Sequence, residues 1–142
     1  NDAHLRIYAY RSAADCIEAM KTYQTEKADY LYSEEPYRYP TDGLTKLSES
    51  VVQVKEPAAY SWDTKIDLPQ LDAGCYLVVV ELSGDVSGKE FIKKEQAMLQ
   101  VTDLLVYTEN TNDTLLYWIN DAKTGVVFSV VLPQSVVIIE LF

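Results

Sequence analysis

The sequence predicts a mainly β protein, an antiparallel β-sandwich with one short α-helix near its N-terminus. Short segments of alternating or β-branched apolar residues recur along the 142 residues, and turn-forming residues separate them every several positions. Apolar residues make up 48% of the chain, which is enough to offset the entropy lost on folding. One segment near the N-terminus has the apolar spacing of a helix.

The first elements are a strand, a helix and a loop. Apolar residues alternate with polar or aromatic ones over Leu5–Tyr10, which is the period of a half-buried strand. Ser12 is a suitable N-cap for a helix over Ala13–Tyr23. This helix is expected to gather four side chains into one stripe, Cys16, Ile17, Met20 and Tyr23. The segment Tyr30–Asp42, with two prolines and four tyrosines, predicts a loop.

The middle of the chain predicts strands separated by prolines and by one glycine-rich turn. Strands are expected over Ser50–Lys55 and Thr64–Leu68, each followed closely by a proline. The run Gly74–Leu82 contains three consecutive valines, which predicts a central strand. A turn over Ser83–Gly88 then leads into a strand over Lys89–Val101.

The next segment predicts a bend and a hairpin. Thr102-Asp103 redirects the chain into strands over Leu104–Thr108 and Thr114–Ile119. Asn110–Asp113 has strong turn chemistry between these strands. A second turn is expected over Asn120–Gly125, where the glycine can supply a positive φ.

A change in charge places a domain boundary near Ala97. Residues 1–97 hold 11 of the 12 basic groups and 17 of the 22 acidic groups. We therefore predict a first β-sandwich over residues 1–97, with the helix as an insertion, and the opening strands of a second, truncated domain over residues 98–142. A seven-strand sandwich takes roughly 100 residues. The alternative is therefore that the last strands complete the first sandwich.

The acidic charge excludes two classes of partner. The formal net charge is -10 and the pI is near 4.4, so the chain lacks the clustered cations that nucleic acids require. An anionic membrane surface would repel it. The apolar tail Val126–Phe142 is interrupted by Pro133 and is shorter than the ~20 residues of a membrane-spanning helix. We expect two short strands there and no membrane insertion.

The residues that carry chemistry form no recognisable catalytic set. His4 is the only histidine, and a metal site needs three or four ligands. The acidic pairs are expected to be solvated turn residues: Glu34 with Glu35, Asp63 with Asp67, and Asp113 with Asp121. We expect a protein that is not an enzyme and has no metal site or cofactor. Two unpaired, buried thiols are the favoured interpretation of Cys16 and Cys75, and a disulfide stays open.

The predicted loop over Tyr30–Asp42 contains the candidate binding residues. These are four tyrosines: Tyr30, Tyr32, Tyr37 and Tyr39. Tyrosine is enriched at interfaces because its ring packs while its hydroxyl stays hydrated. Packing against the protein itself, contact with a neighbouring domain and ligand binding are the three interpretations, in that order of preference.

Several phrases in the sequence occur together in one known family. They are Leu68-Pro69, Gly74-Cys75-Tyr76, Val101-Thr102-Asp103-Leu104, Trp118-Ile119-Asn120-Asp121 and Asp121-Ala122-Lys123-Thr124-Gly125. Their order and spacing, over about 60 residues, resemble the junction between two macroglobulin domains of bacterial alpha-2-macroglobulin-like proteins. The thioester sequence of that family, Gly-Cys-Gly-Glu-Gln, is absent.

The resemblance implies a structural role. It implies fibronectin-like macroglobulin domains, a periplasmic or cell-surface location in a bacterium, and neighbouring domains of a longer chain as partners. Proteases would be partners indirectly, because the family is thought to trap them by collapsing around them after its bait region is cut. A truncated second sandwich would leave open strand edges, so a strand-swapped homodimer of this fragment is expected. The alternative is an Ig-like or fibronectin-like surface module that binds carbohydrate or protein through its tyrosine loop.

Overall fold

The computed structural model describes residues 2–54, 65–113, 115–127 and 136–137. The chain divides into two compact units, Asn1–Val101 and Thr102–Phe142. The structural division therefore falls four residues after the boundary expected from charge, at the end of a strand. Whether each unit is a domain in its own right stays a prediction.

Unit one, Asn1–Val101, is built on one antiparallel sheet. Its elements are β1 (Asp2–Ala9), α1 (Ala13–Glu26), a 3-10 turn (Lys27–Tyr30), β2 (Thr45–Gln53), β3 (Gly74–Val86) and β4 (Lys89–Val101). The strand order is β2-β1-β3-β4, so β1 and β3 are the inner strands. This confirms a mainly β protein with one α-helix, and the inner position predicted for β3.

One face of the sheet carries the apolar core. Leu5 and Ile7 of β1 lie beside Tyr76 and Val78 of β3, and all four side chains are buried. The alternation of β1 produces this face, because every second residue points to the same side of the sheet. A bulge between Ile7 and Tyr8 shifts the pairing with β2 by one residue beyond the core.

An irregular segment covers this face, where a strand was predicted. Ile66 and Leu71 pack against the core cluster, but residues 65–68 have no strand structure. The predicted strand over Thr64–Leu68 is therefore wrong for the residues that the structure describes, and Thr64 lies outside them. The apolar side chains of this segment are used for packing on the sheet, and Pro69 has no N–H to donate to a strand ladder.

The opposite face of the sheet contacts α1. Ser12 caps the helix as predicted, because its Oγ accepts a hydrogen bond of 3.2 Å from the Asp15 backbone N–H. Cys16 is buried, whereas Ile17 and Met20 are 52% and 44% exposed. The prediction that all four apolar side chains share one stripe is therefore wrong. Adjacent residues are about 100° apart around a helix, so Ile17 turns away when Cys16 faces the sheet.

The hairpin between β3 and β4 is longer than expected. β3 continues to Val86, so the predicted turn over Ser83–Gly88 shrinks to two residues. Ser87 has a φ of 57° and Gly88 a φ of 79°, the two positive values of a type I′ turn. The Asp85 carboxylate accepts a hydrogen bond of 2.8 Å from the Gly88 N–H. The polar residues before the turn are therefore paired strand residues.

Unit two, Thr102–Phe142, is a small sheet. Its strands are β5 (Leu104–Asn110), β6 (Leu115–Asp121) and the two-residue β7 (Val136–Val137). β5 and β6 form the predicted antiparallel hairpin, and β7 lies parallel to β6. The bend at Thr102 is fixed by its Oγ1, which accepts a hydrogen bond of 3.0 Å from the Leu104 N–H.

The turn after β6 is confirmed, with its glycine at a φ of 73°. The Asp121 carboxylate accepts hydrogen bonds of 2.8 Å from the backbone N–H groups of Lys123 and Thr124. Most of the predicted tail strands lie outside the described residues. In the part that the structure describes, no helix is long and apolar enough to cross a membrane.

Candidate functional site: a tyrosine cluster and an apolar hairpin

Four tyrosines of unit one form an aromatic group, here called the tyrosine cluster: Tyr23, Tyr30, Tyr37 and Tyr39. Tyr23 stacks on Tyr39 at a centroid distance of 4.7 Å and an interplanar angle of 11°. Tyr37 meets Tyr23 edge-on at 5.7 Å and Tyr30 edge-on at 5.5 Å. The Lys27 ammonium lies 6.0 Å from the Tyr23 ring centroid, within range of a cation–π attraction.

A glutamine of β4 fixes the loop that supplies half of the cluster. The Gln96 side-chain oxygen accepts a hydrogen bond of 2.7 Å from the Tyr39 N–H, and the Gln96 side-chain N–H donates one of 3.0 Å to the Tyr39 carbonyl. The side-chain amide thus pairs with the loop as a neighbouring strand would. This contact holds the loop against the sheet edge.

The four candidate residues from the sequence are divided by the structure. Tyr30, Tyr37 and Tyr39 join the cluster, whereas Tyr32 has a fully exposed side chain. Leu31 beside it is 72% exposed. The sequence predicts Tyr23 as part of the apolar stripe of the helix and not as a binding residue. Its position near the C-terminal end of α1, shortly before the tyrosine-rich loop, was the signal that could have connected them.

Tyr10 lies close to Tyr37 and Tyr39 of this cluster. Burial raises the pKa of Tyr10 to about 12, with smaller effects of Cys16 and of the rings of Tyr39 and Tyr37. Its buried hydroxyl has no hydrogen-bond partner among the described residues. Burial also raises the pKa of Tyr39. These phenols are therefore neutral near pH 7 and suited to packing and stacking.

A row of ion pairs crosses all four strands of the sheet. The Glu49 carboxylate lies 2.6 Å from the Lys46 ammonium and 2.8 Å from the Arg6 guanidinium. Glu81 lies 3.1 Å from Lys94 and 4.0 Å from Arg6. The hydrogen bond from Lys46, followed by that from Arg6, lowers the pKa of Glu49 to about 2. Glu49 is thus held as a paired carboxylate, which does not suit it to act as a general acid.

Unit two presents a second candidate surface, here called the hairpin surface. Every residue of β5 is exposed, although four of its seven residues are apolar. The exposed fractions are 46% for Leu104, 41% for Leu105, 55% for Val106, 55% for Tyr107 and 37% for Trp118 of β6. Adjacent strand residues point to opposite faces. The surface therefore includes both faces of the hairpin.

The aromatic part of the hairpin surface is ordered by strand pairing. Tyr107 lies opposite Trp118 in the β5–β6 register, and the ring centroids are 5.7 Å apart at an angle of 54°. Val106 lies opposite Ile119 on the other face. Among the described strands, β5 is at the edge of its sheet, and an edge strand has backbone groups with which another strand can pair.

The acidic side chains considered in the sequence are mostly exposed where they are described, and Asp67 forms a surface ion pair with Lys65 at 3.3 Å. Asp121 holds the turn after β6, and Asp103 pairs with Lys123 at 3.0 Å. Asp63 lies outside the described residues. Within those residues, no group of three or more His, Cys, Asp or Glu side chains could hold a metal ion.

Comparisons of this chain with protein-family models, with curated proteins and with solved structures find no match. The functional interpretation therefore depends on the geometry of the chain itself and on the resemblance of its phrases.

Proposed function

We propose that this chain is a non-catalytic structural segment of a bacterial alpha-2-macroglobulin-like protease inhibitor. Its role is to pack against neighbouring domains of a longer chain in the periplasm or at the cell surface. The observation that carries this proposal is the hairpin surface, in which apolar side chains are exposed on both faces.

The energetics of the hairpin surface support a neighbouring protein layer. A two-stranded hairpin is marginally stable alone in water. Fully burying one Leu, Val or Phe side chain contributes roughly 1.5–3 kcal/mol. Three such side chains and Tyr107, each about half exposed on β5, therefore leave several kcal/mol to be gained by coverage. A neighbouring domain supplies that coverage in the proposed assembly.

The proposal extends to the fold. The hairpin β5–β6 would be the opening of a second macroglobulin-like sandwich, and the sheet of unit one would belong to the preceding one. The short bend at Thr102 between β4 and β5 agrees with two successive units of this kind. In that arrangement the segment serves the frame that closes around a protease, and contacts the protease only indirectly.

Protease trapping by the natural gene product tests the proposal. We expect that product to be much longer than 142 residues. It should screen a protease from protein substrates, while the enclosed protease still cleaves small peptides. A product of only this length, or one that leaves cleavage of large substrates unchanged, contradicts the proposal.

A charge in the hairpin surface tests the role of this segment. Tyr107→Lys should weaken trapping by the full product, because a cation is costly to bury in an apolar contact. Gln24→Lys introduces the same charge on the exposed side of α1 and should leave trapping unchanged. If both variants weaken trapping equally, the loss of trapping comes from the added charge and not from the hairpin surface.

The isolated chain is expected to form a strand-swapped homodimer through residues 126–142. Val126 is 60% exposed, and the pairing of β7 with β6 is a contact that a second copy could supply instead. Light scattering at high protein concentration should give the mass of a dimer. A strictly monomeric mass would exclude this association.

A second candidate function is a surface module that binds carbohydrate or protein through the tyrosine loop. Tyr32 favours it, because its ring is fully exposed beside the exposed Leu31. Glycan-array binding that is lost in Tyr32→Ala and kept in Gln24→Lys would support this function. An array without binding by the unmodified protein would exclude carbohydrate.

A further inference from the structure

The thiols of Cys16 and Cys75 meet where α1 packs against β3. Cys16 lies in the first turn of α1 and is 5% exposed, and Cys75 is the second residue of β3 and is 9% exposed. Both are free thiols, and Cys75 is close enough to Cys16 to raise the pKa of its thiol. Two buried sulfur atoms from distant parts of the chain therefore share one enclosed site.

The backbone keeps these two residues together. The Tyr10 N–H donates a hydrogen bond of 2.9 Å to the Cys75 carbonyl, immediately after β1 ends. Ser12 then caps α1, and the Cys16 N–H donates one of 3.2 Å to the Ser12 carbonyl. The link between β1 and α1 is thus short and tied at both ends. Small motions of the helix cannot carry Cys16 far from β3.

We propose that Cys16 and Cys75 are a modification site, at which a disulfide ties the first turn of α1 to the start of β3. The oxidant is an external disulfide, either glutathione disulfide or the disulfide of a thiol oxidoreductase. One cysteine thiolate attacks a sulfur of the oxidant and releases one thiolate. The other cysteine then attacks the mixed disulfide and releases the second thiolate. The two protein thiols lose two electrons and two protons, and the oxidant is reduced to two thiols.

Burial sets the order of events. Burial, and then the proximity of the Cys75 thiol, raises the pKa of Cys16 to about 11, so this thiol is protonated in the folded protein. The thiolate is the reacting species in exchange, and an enclosed sulfur is inaccessible to an external disulfide. The bond therefore forms while the chain is still open. Once folding is complete, the same enclosure protects it from reductants.

Refolding in a redox buffer tests the site. The protein is reduced and unfolded in urea, refolded with reduced and oxidised glutathione, and then treated with iodoacetamide in urea, so that any free thiol is accessible, before mass spectrometry. We expect a monomeric product lighter than the reduced chain by two hydrogen atoms, without alkylation, and a proteolytic fragment that joins the two cysteines. Alkylation or glutathione on both cysteines, or a disulfide between two chains, would overturn the proposal.

Stability and rate give two further readouts. The oxidised protein should unfold at a higher urea concentration than the same protein kept reduced, because the bond closes a long loop in the unfolded chain. Cys16→Ser should show no dependence on the redox buffer. If this variant fails to fold, the oxidised and reduced forms of the unmodified protein still decide the question. The folded, reduced protein should be oxidised by glutathione disulfide more slowly than the refolding chain, and equal rates would contradict the proposed order.

Discussion

Two tyrosine hydroxyls of unit one show how a single hydrogen bond decides the cost of burial. The Tyr76 hydroxyl donates a hydrogen bond of 2.7 Å to the Asp72 carbonyl, whereas the buried Tyr10 hydroxyl has no partner within the described residues. Tyr76→Phe should destabilise the protein by about 1 kcal/mol. Tyr10→Phe should be neutral or stabilising, since it removes an unsatisfied group. Urea unfolding of both variants checks this, and an equal loss for both would contradict it.

The raised pKa of Tyr10 also predicts how the stability of the protein responds to alkaline pH. Burial raises the pKa of Tyr10 to about 12, whereas an unfolded tyrosine titrates near 10. The stability associated with the neutral phenol is present below about pH 10 and is lost as the pH rises through 12. Tyrosinate absorbance should therefore show one late-titrating group that is missing in Tyr10→Phe. If the titration missing in Tyr10→Phe instead lies near pH 10, Tyr10 is ordinarily solvated.

At the scale of elements, Gln96 connects the tyrosine cluster to the sheet. Gln96→Ala removes both hydrogen bonds to the Tyr39 backbone, each worth about 0.5–1.5 kcal/mol. We expect lower stability, a weaker near-ultraviolet circular dichroism signal from the ordered tyrosines, and faster exchange of the Tyr39 amide. Gln24→Ala, on the exposed side of α1, is the matched control. Unchanged Tyr39 exchange would mean that stacking with Tyr23 alone holds the loop.

Elements that depend on local sequence were predictable. The alternation in β1, the valines of β3 and the Ser12 cap each specify a strand or helix through neighbouring residues. The turn after β6 is equally local, because Asp121 and Gly125 supply its hydrogen bonds and its positive φ. Local patterns of this kind survive in the folded protein because tertiary packing agrees with them.

Elements that depend on tertiary packing were not predictable. The apolar residues around Ile66 alternate as they do in a strand. In the structure this segment is irregular, and Ile66 packs on a face of the sheet instead of pairing with a strand. The polar residues that end β3 resemble a turn, yet the long pairing with β4 keeps them in the strand. Likewise, no spacing in the sequence could show that Cys16 lies beside Cys75, since folding brings distant segments together.

At the scale of the whole molecule, the two units differ in burial, because every buried side chain among the described residues belongs to unit one. In unit one, paired charges cross the sheet, and α1 and the segment around Ile66 pack on its inner strands, while Val51 and Ile92 of the outer strands stay 54% and 67% exposed. In unit two, the described hairpin exposes apolar side chains on both faces. The charge pattern of the sequence predicted a change near Ala97, and the division between the two units falls at Val101. The exposed state of the hairpin surface required coordinates.

Amide hydrogen exchange of β5 tests the central claim most directly, that the hairpin surface is covered by neighbouring domains. The exchange rates are compared between the isolated chain and the natural product that contains it, with the Leu77 amide of the inner strand β3 as the protected reference. We expect rapid exchange of the outward-facing β5 amides in the isolated chain and strong protection in the natural product. Equally rapid exchange in both would contradict it.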